Sequence, residues 1–296
     1  MYQARHAPDG AVSRLSLRAR FVIVACAALA VLGSGIAVAA GAGASVNPGT
    51  TVYTASEAGI QAHGNGWNFR YLQANITLPD ITSNTFKAAI PGGYGGSLRL
   101  ANGNQIVDLG ISTTPGSGAY NAAFAVEYSD GHTYGCLNGD SPATPAGDTV
   151  TMTLYYSYAA GGLSYGVTDR TRAGHDFSGT CSDPGQFFGS AQIVAGFSVN
   201  DWTPATNVHA VSGNHRLVMF TNTVVTSRTG YRSSIGTGSG SGSGHWPVQK
   251  LAMTSDGTPT GTLLASVPYA WGSSAVSPDN VVRDGRNFSV WMPAGA

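Results

Sequence analysis

Several stretches of this chain alternate apolar and polar residues one for one, a pattern suited to extended strands, whose successive side chains point to opposite faces. In Gln105-Ile-Val-Asp-Leu-Gly-Ile-Ser112, Val107, Leu109 and Ile111 share one face and Asp108 takes the other. In Ala123-Phe-Ala-Val-Glu-Tyr128, Phe124, Val126 and Tyr128 oppose Glu127. In Ala191-Gln-Ile-Val-Ala-Gly-Phe-Ser-Val199, Ile193, Ala195, Phe197 and Val199 oppose Gln192. If the three strands are neighbours, two carboxylates and an amide stand on one sheet surface. Plain solvation of the outer face of a half-buried sheet satisfies the same parity.

Strands are expected over 67–78, 97–101, 105–112, 122–129, 148–159, 163–169, 191–199, 215–226, 248–254 and 287–292. Turn dipeptides fall between them: Asn102-Gly103, Asp130-Gly131, Asn138-Gly139, Gly161-Gly162, Asp256-Gly257 and Asp284-Gly285. Regular short spacing, with no long helical periodicity and no fixed internal repeat, predicts an all-β chain folded as an antiparallel β-sandwich or jelly roll. Composition agrees: charged residues are 10% of the chain, against 41 Gly and 13 Tyr, which suits strands and tight turns better than ion-paired helices.

The N-terminus reads as an export signal. Arg5, Arg14, Arg18 and Arg20 form a basic region, residues 21–40 carry no charge, and Val38-Ala-Ala40 or Ala42-Gly-Ala44 offers a cleavage site. The apolar stretch is long enough for an uncleaved single-span anchor, the only case in which a membrane becomes a partner. Its Ala and Gly content favours cleavage, and too few apolar residues precede Cys26 for a lipoprotein signal. Beyond residue 40 the chain carries 11 Lys+Arg and 14 Asp+Glu, a net charge of −3. No basic run survives, which excludes nucleic acid as an expected partner. Only two glutamates remain, Glu57 and Glu127, so any two-glutamate chemistry has one candidate pair.

Residues 41–54 are expected to be a short extension and 55–296 a single domain. The stretch Gly236-Thr-Gly-Ser-Gly-Ser-Gly-Ser-Gly244 reads as a flexible loop within it. The alternative, a linker between two domains, leaves only about fifty residues beyond it, marginal for a separate core. Two cysteines follow the signal, Cys136 and Cys181; outside a cell an even pair most simply forms a disulfide, and the alternative is two separate buried thiols. No histidine stands at ligand spacing, so neither a metal nor another cofactor is implied. The chain lacks His-Glu-x-x-His, a phosphate-cradling Gly-x-x-x-x-Gly-Lys and a Gly-x-Ser-x-Gly elbow.

A series of segments, in order, resembles the glutamic peptidases, or eqolisins. They are Ala58-Gly-Ile-Gln-Ala62, Leu72-Gln-Ala-Asn-Ile-Thr-Leu-Pro79, Ile106-Val-Asp-Leu-Gly110 and Tyr120-Asn-Ala-Ala-Phe-Ala-Val-Glu-Tyr128. Gly147-Asp-Thr-Val-Thr-Met152, Val167-Thr-Asp-Arg-Thr171, Asp176-Phe177, Ser190-Ala-Gln-Ile-Val194 and Phe220-Thr-Asn-Thr-Val224 continue the series. The resemblance runs from about Ala55 to Pro293 and implies a secreted concanavalin A-like β-sandwich. The family's catalytic pair is a Gln and a Glu that activate water and stabilise the tetrahedral intermediate. At the matching positions this chain has Asp108 and Gln192, while Glu127 matches a supporting glutamate. The family's tryptophan ahead of its first catalytic residue corresponds to Leu98, and its early Asn-Trp is missing near Ser56.

Those departures decide among functions. Gln192 cannot titrate, so the acid–base work of a peptidase would fall to Asp108, with the Gln192 amide as oxyanion donor and Glu127 in support. A glycosidase would use Asp108 and Glu127 as paired carboxyls. The leading expectation is binding without turnover. A secreted, monomeric sandwich would hold an extracellular polysaccharide or polypeptide in a concave groove, against Trp67, Tyr94 and Trp202.

Overall fold

The computed structural model describes residues 50–62, 68–79, 94–102, 105–113, 118–128, 136, 138–139, 141–159, 161–182, 194–201, 215–235, 246, 248–267 and 287–292. The export segment, the Gly/Ser stretch at 236–244, Gln192, Trp67 and Trp202 lie outside the described residues. Among those described there is no helix. The strands in chain order are β1 (Thr50–Thr54), β2 (Glu57–Ala62), β3 (Phe69–Thr77), β4 (Tyr94–Ala101), β5 (Gln105–Thr113) and β6 (Ala119–Tyr128). Next come β7 (Thr144–Pro145), β8 (Thr149–Ser157), β9 (Gly162–Asp169), β10 (Phe177–Ser182) and β11 (Val194–Asp201). Last are β12 (His215–Ser227), β13 (Arg232–Ser233), β14 (Val248–Thr254), β15 (Leu263–Ala265) and β16 (Phe288–Met292).

Two sheets form, and each has one apolar face to bury. The first runs β1-β14-β2-β11-β4-β5-β6-β7, with β15 added to β14; the second runs β10-β9-β8-β3-β12-β13, with β16 added to β12. Pairing is antiparallel except between β1 and β14, which are parallel. The alternation read from the sequence is the reason the two sheets pack. Val107, Leu109 and Ile111 of β5, Phe124 and Val126 of β6, and Ala195, Phe197 and Val199 of β11 are all buried from one sheet. Leu72, Ala74 and Ile76 of β3, with Met152 and Leu154 of β8, meet them from the other. The architecture is therefore the all-β sandwich expected.

Aromatic rings fill the centre. Phe197 from the first sheet meets Phe220 and Phe288 of the second edge-on, at centroid distances of 6.2 and 6.5 Å, and the latter two stack at 4.9 Å. Nearer one edge, Phe124 stacks on Tyr165 at 3.9 Å, and Asn138 Nδ2 donates to the Tyr165 hydroxyl at 2.9 Å. Burying each such side chain contributes about 2 kcal/mol. The wholly buried Trp246 donates its indole N–H to the Ile235 carbonyl at 3.1 Å, so the residues flanking 236–245 meet inside one core. The following strand, β14, is inserted between β1 and β2. Thr50–Thr54, within the stretch read as an extension, is strand β1, in register with β14 from Thr50 against Gln249 to Thr54 against Met253.

The aspartates of the Gly147-Asp, Val167-Thr-Asp-Arg-Thr and Asp176-Phe segments have a local task. Asp169 Oδ1 accepts from the backbone N–H groups of Thr171 and Arg172 at 2.8 and 3.0 Å, and Asp176 Oδ1 accepts from that of Asp169 at 3.0 Å. Arg172 pairs with the buried Asp148 at 3.1 Å. These bonds hold the β9–β10 turn rather than build a site. Cys136, from the connection after β6, is disulfide-bonded to Cys181 of β10, with Cα atoms 5.7 Å apart. The bond joins the two sheets near one edge.

Closing a loop of sequence separation 45 removes enough unfolded-state entropy for about 4 kcal/mol of stability. Replacing Cys136 and Cys181 together by Ser should therefore lower the unfolding free energy by roughly 2–5 kcal/mol in a denaturant titration. No loss would mean that the bond closes a loop already compact when unfolded.

Candidate functional site

Register decides which polar groups meet on the outer face of the first sheet. Leu98 and Leu100 of β4 point into the core, so Arg99 points out. Arg99 is in register with Asp108 of β5 on one side and Gly196 of β11 on the other. Gly196 faces Gln61 of β2, which in turn faces Gln249 of β14. One polar row thus crosses five neighbouring strands: Gln249, Gln61, Gly196, Arg99 and Asp108. Its amides are already joined, since Gln61 Nε2 donates to Gln249 Oε1 at 2.8 Å.

Arg99 is the hinge of the row. Its Nη2 donates to Asp108 Oδ2 at 2.7 Å, and its Nη1 is ion-paired with Glu57 Oε1. Small residues adjoin it: Gly196 stands beside its Cβ, and the buried Ser97 and Ser198 share a 3.1 Å hydrogen bond. Gly59 is required nearby, because a Cβ there would strike the Phe197 carbonyl oxygen. The side chains of Arg99, Glu57 and Asp108 are only 14%, 10% and 16% exposed, so the three charges meet largely away from water. Coulombic attraction is strong there, and removal of one partner is correspondingly costly.

Glu127 completes the cluster. Asp108 is in register with Ala125 of β6, two residues before Glu127 on the same face, which makes the carboxylates diagonal neighbours about 7–8 Å apart in backbone terms. Burial, and then the Asp108 charge, push the Glu127 carboxyl from 4.5 up to about 7, against an opposing pull from Arg99. A carboxyl titrating there can carry a proton at neutral pH and give it up, the property acid–base catalysis requires. Among the described residues, no group of three or more His, Cys, Asp or Glu is placed to hold a metal ion.

Of the residues singled out from the sequence, the structure brings Asp108 and Glu127 onto one face. Tyr94 opens β4, its backbone in register with Thr113 and Asp201, while the other named candidates Gln192, Trp67 and Trp202 lie outside the described residues. Leu98, which the sequence resemblance sets against the glutamic peptidases' tryptophan, is fully buried and stands on the core side, away from Asp108. Glu57 and Arg99 were not singled out as a pair. Their signals were the alternation Glu57-Ala-Gly-Ile-Gln-Ala62 and the lone arginine between two leucines, Leu98-Arg-Leu100.

No protein-family model matches the chain, and no curated protein matches it. Among solved structures it is similar to Scytalido-glutamic peptidase with a peptide-based transition-state analogue, at 15% identity and a TM-score of 0.45, over 80% of this chain and 97% of that one. It is also similar to the alginate lyase from Klebsiella pneumoniae, at 13% identity and a TM-score of 0.33, over 47% of this chain and 54% of that one. A third likeness is to the CBM2 module of the evolved Dit of Lactobacillus casei BL23 phage J-1, at 11% identity and a TM-score of 0.32, over 45% and 54%.

Two outcomes test the electrostatics. Arg99→Met should cost about 3 kcal/mol or more in chemical unfolding, since it leaves two largely buried carboxylates without their shared cation. For Glu127 the folded state holds the proton more tightly than the unfolded chain. Its contribution is therefore neutral below about pH 4.5, and stability falls as the pH rises to about 7. Glu127→Gln should match the parent in acid and exceed it by about 3 kcal/mol above neutrality. Parallel stability–pH curves for the two proteins would contradict the burial and charge assigned to Glu127.

Proposed function

We propose that this chain is an exported β-sandwich protein that holds an extended polymer, polysaccharide or polypeptide, across the outer face of its first sheet without cleaving it. The observation that carries this reading is the Arg99 ion pair with Asp108 and Glu57. A general base must reach its water, and here one of the two Asp108 oxygens, Oδ2, is engaged by a guanidinium on the adjacent strand and the side chain is largely buried. Gln61, Gln249, Arg99, Asp108 and Glu127 together supply donors and acceptors from β14 to β6. At the usual strand spacing that row is about 24 Å long, which suits a chain-like ligand lying across the strands. Polar groups backed by a rigid sheet lose little freedom on binding, so affinity can come from a modest number of hydrogen bonds.

A second reading is favoured by one observation, the raised value at Glu127. In that reading the chain is a hydrolase resembling the glutamic peptidases, and its rearranged site is Asp108, Gln192 and Glu127. Glu127, protonated up to about pH 7, would donate to a leaving group, and Asp108 would orient within the Arg99 pair. The acid–base role then passes from Asp108 to Glu127.

One experiment separates the two. The secreted chain is passed over immobilised cell-wall polysaccharides and, in parallel, incubated with a mixed peptide library from strongly acidic to neutral pH, with products read by mass spectrometry. Retention without cleavage is expected, and Asp108→Asn should weaken retention about tenfold by loosening the row. Cleavage that disappears in Glu127→Gln would make the chain an enzyme and overturn the binding reading. Neither retention nor cleavage would remove the functional assignment of this face.

A further inference from the structure

The opposite sheet carries a separate cluster that the row around Arg99 does not involve. Tyr71 of β3 is in register with Tyr155 of β8 and with Thr226 of β12, and Thr226 faces Arg232 of β13. These residues, with Arg70 and Gly230, line an open hollow of about 420 Å³ on the outer surface. The Arg232 guanidinium lies over the Tyr71 ring at 5.6 Å, and the Arg228 guanidinium over the Tyr158 ring at 4.4 Å. Gly230, at φ +94, makes the turn between Arg228 and Arg232, and the Arg70 guanidinium lies beside it. Three arginines therefore converge on one short turn. Among the described residues none of the three is ion-paired with a carboxylate.

Three like charges gathered with no carboxylate partner among the described residues repel one another, a cost that the contacts with Tyr71 and Tyr158 offset only in part. Cation–π attraction holds a guanidinium over a ring face, and its planar N–H fork can grip a carboxylate with two parallel bonds. A tyrosine-floored hollow also offers apolar surface to a sugar ring. The partner chemistry is therefore anionic, repeating and flat-faced. The basic patch is too small for a nucleic-acid track, which needs cations along a whole groove.

We propose that the outer face of the second sheet, around Arg70, Arg228, Arg232 and Tyr71, is a binding site for a carboxylate-bearing polysaccharide. It is independent of the function assigned to the first sheet.

The probe is polygalacturonate, with its fully methyl-esterified form as the uncharged control, measured by titration calorimetry on the secreted full chain. Saturable binding to the acid form, little to the ester, and weakening as salt rises from about 50 to about 500 mM are expected. Arg228→Gln and Arg232→Gln should each weaken binding about tenfold with an unchanged melting temperature. Arg232→Lys, which keeps the charge and loses the planar fork, should remain several-fold weaker than the parent. Asp108→Asn should leave this affinity unaltered. The proposal is overturned by absence of binding, by equal binding to the ester, or by full affinity in the double Arg→Gln variant. Equal affinity for a single-stranded oligonucleotide or for anionic lipid vesicles, lost in the same variants, would overturn the polysaccharide assignment.

Discussion

Register between β4 and β5 is the constraint on which the site depends. Arg99 faces Asp108 only because Leu98 faces Leu109 and Leu100 faces Val107 one step to either side, on the core surface. A slip of one residue in β5 would turn Val107, Leu109 and Ile111 outward and bring Asp108 beneath the aromatic cluster. The apolar core thus sets the pairing, and the pairing sets the electrostatics. The ion pairs add little freedom of their own: they occupy positions that hydrophobic burial has already chosen.

Within that frame, charge balance on the outer face is uneven. One guanidinium serves two carboxylates, Asp108 and Glu57, and Glu127 stands a diagonal step further along. The pull of Arg99 on Glu127 is smaller than the combined effect of burial and Asp108, which is why the carboxyl rises to about 7. An arrangement evolved for stability alone would gain from an apolar residue at 127, where neighbours such as Ala123 and Ala125 already leave room. A largely buried acid kept beside another acid is a cost to the fold.

The sandwich, and the facing of Asp108 and Glu127, were legible in the sequence because both rest on period-two alternation in strands buried on one side. The elements that escaped have weak alternation or distant partners. In Phe177-Ser-Gly-Thr-Cys-Ser182, strand β10, only Phe177 and Cys181 are buried, as befits an edge strand packed by few side chains. Strand β1 pairs with β14, nearly two hundred positions away, and no local pattern announces a parallel partner at that distance. Arg99 was not singled out from the sequence: alternation in Leu98-Arg-Leu100 sets it outward, but its partnership with Asp108 needed the register. Glu57 needed still more: a third strand, β11, placed between β2 and β4 with glycine at the crossing point.

The two faces differ in a way that bears on how each would work. On the first, both charged partners of Arg99 are already engaged, so contact with a ligand exchanges one set of hydrogen bonds for another. On the second, Arg70, Arg228 and Arg232 present charge of one sign, whereas Arg170 donates to Thr151 Oγ1 at 2.8 Å and Arg172 holds Asp148. In a chain where only 10% of residues are charged, the placement of each is informative. The arginines with structural partners lie at a turn or inside a row. Arg70, Arg228 and Arg232 sit together at another turn, with no carboxylate partner among the described residues, and the last two lie over tyrosine rings. The Tyr158 and Tyr71 rings beneath Arg228 and Arg232 offset part of that mutual repulsion, so on the proposed reading an anionic chain meets donors already gathered.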